Sequence, residues 1–220
     1  MVLLSGGTSK GAGDLSYRVA SRLGDPGIVA HGVALKPGKP ICLAVSHGKP
    51  VVILPGFPTS AIFTFHEFVA PVIRAFAGLP PERRRSVTAT LPMRINSERG
   101  RTEYLLVGLV QSDDRLNAYP MGKGSGSVTT FSAADGFITI DQHTEILDSG
   151  AEVQVQLLAQ GVEPADLVII GSHCVGLDAI VGHLIREGMR PKVLYVGSMP
   201  ARRPLRATGL PSSTRRRANS

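Results

Sequence analysis

Apolar and polar positions follow three different patterns along the chain, and the first pattern, over residues 1–79, predicts an α/β domain. Leu15, Val19 and Leu23 recur at intervals of four and predict a helix over Asp14–Leu23. Short apolar runs bounded by Gly, Pro and His-Gly turns predict strands, the first of them buried. These strands are Val2–Ser5, Ile28–Leu35, Ile41–Val45 and Val51–Leu54.

A second and longer helix is expected to start at Thr59 or Ser60, whose hydroxyl would cap its first turn, and to reach about Ala77. Gly78 supplies the C-terminal stop. Apolar residues spaced along one face are expected to point inward. They are Ile62, Phe65, Val69, Val72, Ile73 and Phe76.

The pattern changes after a Pro- and Arg-rich stretch at Leu79–Arg85, which is interpreted as a linker. Residues 86–158 form one short strand pattern after another with little helix, and Val153–Leu157 alternates with a period of two. This predicts a small all-β domain, either a sandwich or a barrel. From residue 161 the pattern returns to strand, helix and strand, one βαβ unit that is too small to be stable alone.

Charge is distributed unevenly, which argues against a nucleic-acid-binding domain. Residues 200–220 hold six of the 24 basic residues and no acidic one, so the net charge of +7 falls to +1 without them. An Arg-rich tail can bind polyanions without specificity, but a solvated tail is the simpler interpretation. The tail also resembles an out-of-frame reading of a GC-rich gene, which is kept here as a hypothesis.

Cellular location is predicted from what the sequence does and does not contain. No apolar run approaches the length of a membrane span, and the short start at Met1 does not resemble a signal peptide. Cys42 and Cys174 lie far apart and form no zinc or disulfide pattern. A cytoplasmic protein that contacts no membrane and no specific nucleic acid is expected.

Three loops at predicted strand ends carry the chemistry. The first runs from Gly6 to Asp14, where exposed amides before a helix favour an anion. The second is Lys36-Pro37-Gly38-Lys39-Pro40, whose two ammonium groups could clamp an oxyanion or phosphate. The third is Pro55–Ser60, before the long helix. Each loop taken singly could be a plain turn, and Asp14 could be either a helix cap or a cation ligand.

The three loops, in this order and spacing, resemble the molybdopterin molybdenumtransferase family, which includes MoeA and the E domain of gephyrin. The matching residues are Gly6, Gly7, Ser9, Gly11 and Asp14, then Lys36–Pro40, then Leu54, Pro55, Gly56, Pro58 and Ser60. Residues 86–158 resemble the C-terminal β domain of that family, with Gly100–Tyr104, Gly124–Ser127 and Ala134–Ile138 as the matching stretches. Residues 161–198 resemble the opening of a periplasmic-binding-protein-like domain that some bacterial members carry.

The resemblance implies a division into four parts. Residues 1–79 would be the C-terminal part of a three-layer molybdopterin-binding α/β domain, and 80–160 the small all-β domain. Residues 161–199 would be a partial periplasmic-binding-protein-like α/β segment, and 200–220 a disordered tail. Because family chains are longer, the resemblance also implies that the chain starts inside the first domain, so that its sheet lacks strands and leaves an apolar edge exposed.

The resemblance implies an enzyme of molybdenum cofactor biosynthesis, which inserts molybdate into adenylylated molybdopterin with Mg²⁺ as cofactor. Asp14, Lys36 and Lys39 would be catalytic, with Asp14 also holding the metal. The substrate would be bound by Gly6, Gly7, Ser9, Gly11, Pro55, Gly56, Pro58 and Ser60. Molybdopterin and molybdate would be the partners, and the full-length family forms homodimers.

Two departures from the family pattern bear on this expectation. Phe57 stands where the family has Asn, and Lys10 stands where a small apolar residue is common. The alternative function is a non-catalytic module that binds molybdopterin or a nucleotide, because the resemblance implies that the acidic loop opposing Asp14 in the family is missing. A small-ligand sensor built on residues 161–199 is less favoured, since one βαβ unit cannot form a two-lobed cleft.

Overall fold

The computed structural model describes residues 1–8, 15–112, 115–121, 128–158 and 165–195. Its strands are β1 Val2–Ser5, β2 Pro26–His31, β3 Leu35–Lys36, β4 Cys42–Ser46, β5 Lys49–Leu54, β6 Ser86–Thr90, β7 Ile95–Asn96, β8 Thr102–Ser112, β9 Arg115–Pro120, β10 Gly136–Ile140, β11 Ile146–Leu147, β12 Glu152–Leu157, β13 Leu167–Gly171 and β14 Pro191–Tyr195. Its helices are α1 Leu15–Ala20, α2 Pro58–Thr64, α3 Ala70–Phe76, α4 Val128–Ala133 and α5 Val175–Arg186, with a π-helical turn at Phe65–Val69 between α2 and α3.

The first part of the chain forms a four-stranded mixed sheet in the order β1-β5-β4-β2. β1 runs parallel to β5, and the other pairs are antiparallel. The prediction that β1 is buried is wrong: Val2, Leu3 and Leu4 are exposed, because β1 pairs only with β5 and forms the edge of the sheet. The expected exposed apolar edge is therefore present in the described part of the chain.

Helix α1 is shorter than predicted, and most of its apolar face is not buried. Leu15 and Val19 are exposed, whereas Ala20 is buried against Cys42 and Ile53 of the sheet. Spacing alone could not show this, because a face is buried only where a neighbouring layer covers it.

The long helix has its N-cap two or three residues earlier than predicted. Pro58 is the first helical residue, and Phe57 holds the N-cap position without a side-chain hydrogen bond. Thr59 and Ser60 therefore lie inside the first turn, where both are buried. Ile73 and Phe76 are exposed rather than inward, and Gly78, with φ +66°, ends the helix as predicted.

The strand-rich part closes into a five-stranded barrel, which resolves the choice between sandwich and barrel. β10 pairs with β12, β12 with β6, β6 with β9, β9 with β8, and β8 returns to β10. Leu91, Val107, Ile138, Ile140 and Val155 fill its interior. Residues 79–85 precede the barrel as an exposed stretch without helix or strand, as expected of a linker.

The eleven-residue strand β8 carries different neighbours on its two faces, since side chains alternate along a strand. Leu105, Val107 and Leu109 point into the barrel core. On the outer face, Leu106 packs with aromatic residues of α2 and β10, and Val110 packs with β14. β8 therefore connects the barrel core to both flanking parts of the molecule.

Residues 167–195 form the expected βαβ unit, with β13 and β14 parallel and α5 between them. The unit does not stand alone, because Leu194 of β14 is only 1% exposed and lies over Gly108 of β8. The Lys192 ammonium donates to the Leu109 carbonyl at 2.7 Å and forms an ion pair with Asp135. Residues 196–220, including the Arg-rich tail, lie outside the described residues.

Candidate functional site

The Lys36–Pro40 turn is fixed between the barrel and the long helix. On one side, β3 runs parallel to the start of β8, with Lys36 opposite Glu103. On the other side, Gly38 has φ +120°, and a Cβ added there would lie 2.5 Å from Cγ2 of Thr64 in α2. Only glycine fits this position without displacing its neighbours. The turn is therefore pressed against both elements at once.

The ammonium group of Lys36 lies between two carboxylates of the barrel. Its Nζ is 3.5 Å from Oε1 of Glu103 and 3.3 Å from Oε1 of Glu98. Glu103 is only 3% exposed and accepts a hydrogen bond from Ser97 Oγ at 2.7 Å. A buried carboxylate needs such partners to remain charged, so Lys36 and Ser97 both stabilise it.

Lys39, the second lysine of the turn, is exposed, and no carboxylate of the described residues forms an ion pair with it. It lines the same cavity as Lys36. Unlike the charge of Lys36, its positive charge is not paired with a carboxylate of the described residues and can pair with a ligand.

The glycine loop and the third loop meet at the C-terminal ends of two neighbouring parallel strands. Gly6, which follows β1, donates its N–H to the Leu54 carbonyl at 2.9 Å. A Cβ on Gly56 would lie 3.6 Å from the Gly6 Cα, so the two loops touch through glycines. Thr8 is buried, and its carbonyl oxygen lies 3.0 Å from Nε2 of His31. Ser9, Gly11 and Asp14 lie outside the described residues.

One cavity of about 430 Å³ opens where the second and third loops meet the barrel. Among the predicted site residues, Lys36, Lys39 and Ser60 line it. Pro55, Gly56 and Pro58 belong to the third loop but do not line the cavity, and neither do Gly6 and Gly7 of the adjoining glycine loop. Phe57, one of the two departures from the family pattern, contributes an exposed aromatic side chain to its wall.

The barrel contributes cavity residues to which sequence reasoning assigned no role. Arg101, Glu103 and Tyr104 lie at the start of β8 and line the cavity. Glu98 does not itself line the cavity, but it places a second carboxylate beside it, with Oε2 3.5 Å from Nη1 of Arg101. The one available signal was Glu103, a charged residue on the face of an otherwise apolar strand that points toward the barrel core.

Tyr104 connects the cavity wall to the long helix. Burial and a hydrogen bond to the negatively charged carboxylate of Glu67 raise the pKa of the Tyr104 phenol to about 12, so it stays protonated at neutral pH. Its ring packs on Phe63 and Phe137, with ring centroids 5.0 and 5.4 Å away. The helix and the barrel are thereby held together beside the cavity.

The described residues contain no cluster of three or more His, Cys, Asp or Glu side chains that could hold a metal ion. The two carboxylates found at the cavity among the described residues, those of Glu98 and Glu103, both form ion pairs with Lys36. Within the same residues, no helix is long and apolar enough to cross a membrane.

Two family profiles match the chain in succession. Residues 1–75 match the family described as "Probable molybdopterin binding domain", and residues 88–158 match the MoeA C-terminal region, domain IV. The first covers the sheet and the long helix, and the second covers the barrel apart from the first residues of β6. Residues 76–87 lie between the two matches, and this gap contains the linker at residues 79–85.

Individual relatives agree with these matches. A molybdopterin biosynthesis protein of Methanocaldococcus jannaschii is 31% identical over 157 residues, covering 71% of this chain and 36% of its own length. Molybdopterin molybdenumtransferase 2 of Mycobacterium tuberculosis is 29% identical over 163 residues, covering 70% and 39%. The crystal structure of a molybdopterin biosynthesis MoeA protein from Pyrococcus horikoshii has a TM-score of 0.58 and 37% identity, covering 73% of this chain and 38% of its own. The chain thus spans less than two fifths of the length of these relatives.

Proposed function

We propose that this chain takes part in molybdenum cofactor biosynthesis by binding adenylylated molybdopterin for molybdate insertion. The support is that a match to a molybdopterin binding domain is followed along the chain by a match to a MoeA C-terminal region. The observation that carries the proposal is the shared cavity: the Lys36–Pro40 turn, the start of α2 and the start of β8 line one space of about 430 Å³. A cleft of this size fits a ligand of nucleotide dimensions.

The proposed chemistry depends on positive charge. Molybdate is a dianion and the pterin nucleotide is also anionic, so bringing them together requires cations placed in advance at the cleft. Lys36 is held by Glu103, and Lys39 extends from the same rigid turn. We assign both lysines to neutralising oxyanion or phosphate charge. Ser60, and the loops at Gly6–Gly11 and Pro55–Pro58, are assigned to seating the pterin nucleotide.

Magnesium is part of the proposal through Asp14 alone, since the described residues do not build a metal site. A hard divalent cation prefers oxygen ligands, and it commonly takes most of them from a phosphate group and water. Asp14 would supply one carboxylate oxygen. No reaction step is assigned to the metal.

Four finer proposals accompany the function. A homodimer is proposed because the family resemblance implies it, and a cytoplasmic location because the two distant cysteines fit a reducing compartment. Residues 161–199 are proposed to open a periplasmic-binding-protein-like domain, on the support of the βαβ order of β13, α5 and β14. The same four-part division of the chain is retained as a proposal.

Replacing one cavity lysine tests the function. Lys39→Met removes an exposed charge from the cavity. Lys49→Met removes an exposed charge from the start of β5, whereas the other end of β5 leads to the cavity, so the two variants form a matched pair. Lys39→Met should weaken molybdopterin binding by about tenfold, the usual cost of one charge-assisted contact. Lys49→Met should leave it unchanged. Binding is measured by quenching of pterin fluorescence.

A turnover assay then separates the two candidate functions. Magnesium-dependent insertion of molybdate by the purified chain would support the enzyme. Binding without turnover would support the alternative, a non-catalytic module that binds molybdopterin or a nucleotide. Failure of the unmodified chain to bind molybdopterin would overturn both.

A further inference from the structure

Glu98 lies where two cationic side chains of the cavity converge. It belongs to the loop between β7 and β8, and its two carboxylate oxygens have different partners. Oε1 is 3.3 Å from Nζ of Lys36, and Oε2 is 3.5 Å from Nη1 of Arg101. Lys36 and Arg101 both line the cavity. One carboxylate therefore bridges the ammonium and the guanidinium group.

The second carboxylate at Lys36 is held in a different way. Glu103 is buried and is fixed by Ser97, whereas the side chain of Glu98 is 61% exposed. Exposed ion pairs contribute little because water and salt compete with them. Of the two carboxylates on Lys36, Glu98 is thus the one that a ligand can displace at low cost.

We propose that Glu98 determines the affinity of the cavity for anions by occupying, in the free protein, the position between Lys36 and Arg101 that an oxyanion or phosphate group takes in the complex. The inference rests on the proposed function in that it concerns the same cavity. It adds a competitor that the ligand must displace, while Glu103 keeps Lys36 in place.

The geometry supports displacement of the Glu98 carboxylate by the ligand rather than binding of the ligand beside it. A carboxylate presents two oxygens to two cations, and a phosphate or oxyanion presents the same arrangement with greater charge. An anion that entered without displacing Glu98 would place two like charges side by side, which is unfavourable. Removing the charge of Glu98 should therefore strengthen anion binding, whereas loss of a ligand-binding residue would weaken it.

The test compares two glutamates of similar exposure. Glu98→Gln removes the competing charge, and Glu145→Gln removes a charge that is paired with Arg99, which does not line the cavity. Inorganic pyrophosphate serves as the probe, with its Kd measured by titration calorimetry at constant ionic strength. Glu98→Gln should tighten binding about three- to fivefold, the upper part of the range for an exposed ion pair. Glu145→Gln should change the Kd by less than twofold.

A double-mutant cycle separates competition for Lys36 from a general effect of charge. In a Lys36→Met background, the gain from Glu98→Gln should shrink to less than half. The proposal is overturned if Glu98→Gln weakens binding, if Glu145→Gln gives an equal gain, or if the gain persists without Lys36. Because pyrophosphate carries no pterin, failure of molybdopterin to bind would count against the proposed function alone.

Discussion

At the scale of single residues, the backbone conformation at position 38 explains why the Lys36–Pro40 turn has a glycine there. Gly38 combines a φ of +120° with close contact to Thr64, whose hydroxyl donates to the Ser60 carbonyl at 2.8 Å inside α2. The two lysines of the turn therefore depend on a glycine that carries no functional group. This connection was visible in the sequence only as a Pro-Gly pair.

Gly38→Ala should lower the free energy of unfolding by about 2–6 kcal/mol, since a strained φ and an overpacked contact each cost roughly 1–3 kcal/mol. Gly48→Ala is the matched control, because Gly48 also has a positive φ, +72°, but has open space around it. That change should cost only about 1 kcal/mol. Urea denaturation measures both, and equal costs would show that the Thr64 contact is unimportant.

At the scale of elements, the sequence predicted the order of most helices and strands well and their exposure poorly. The βαβ order of residues 167–195 and the strand-rich region were confirmed, because each depends on local periodicity. The predicted burial of β1 was wrong, because burial depends on which layer covers the element. The predicted cap of α2 was wrong, because Pro58 begins the helix and leaves Thr59 and Ser60 inside its first turn. The loops around the cavity were found from their residue types, whereas Glu98 and Arg101 were missed because their roles arise only from contacts across the fold.

The contact between the long helix and β8 can be followed through Tyr104. Burial and the neighbouring Glu67 carboxylate raise the pKa of the Tyr104 phenol from 10.0 to about 12. Glu67→Gln should lower that pKa, because it removes a negative charge next to the developing phenolate. Ultraviolet absorbance titrations of each protein against its Tyr104→Phe counterpart would measure the shift.

The same shift predicts how stability depends on pH. A group that holds its proton more tightly when folded contributes stability that is complete below the unfolded pKa and is lost as pH rises through the folded pKa. The contribution of Tyr104 should thus be constant up to about pH 10 and fall as pH approaches 12. In Tyr104→Phe, this part of the alkaline loss should disappear. An unchanged alkaline profile would contradict the assignment.

At the scale of the whole molecule, the βαβ unit depends on the barrel for its burial. Leu194 is the residue of the unit that is most deeply buried, and it lies against Gly108. Leu194→Ala should loosen the unit at a cost of about 2–5 kcal/mol, while the barrel keeps its own core. Leu167→Ala removes an equal side chain at an exposed position of the partner strand and should cost much less.

Hydrogen exchange distinguishes loosening of the unit from general unfolding. In Leu194→Ala, amides of β13 and β14 should exchange at least about tenfold faster, and those of β10 and β12 should be nearly unchanged. Uniformly faster exchange throughout the barrel would show instead that the two parts unfold together. Both outcomes are measurable on the complete chain.

The alternating faces of β8 determine which insertions and deletions this chain can tolerate during evolution. Deleting or inserting one residue within Thr102–Ser112 would exchange the inward and outward sets beyond that point, since the side-chain period is two. The barrel core, the aromatic contact with the long helix and the seat of Leu194 would then be lost in a single event. Loops can absorb a change of length, whereas β8 tolerates substitutions more readily than a shift of its register.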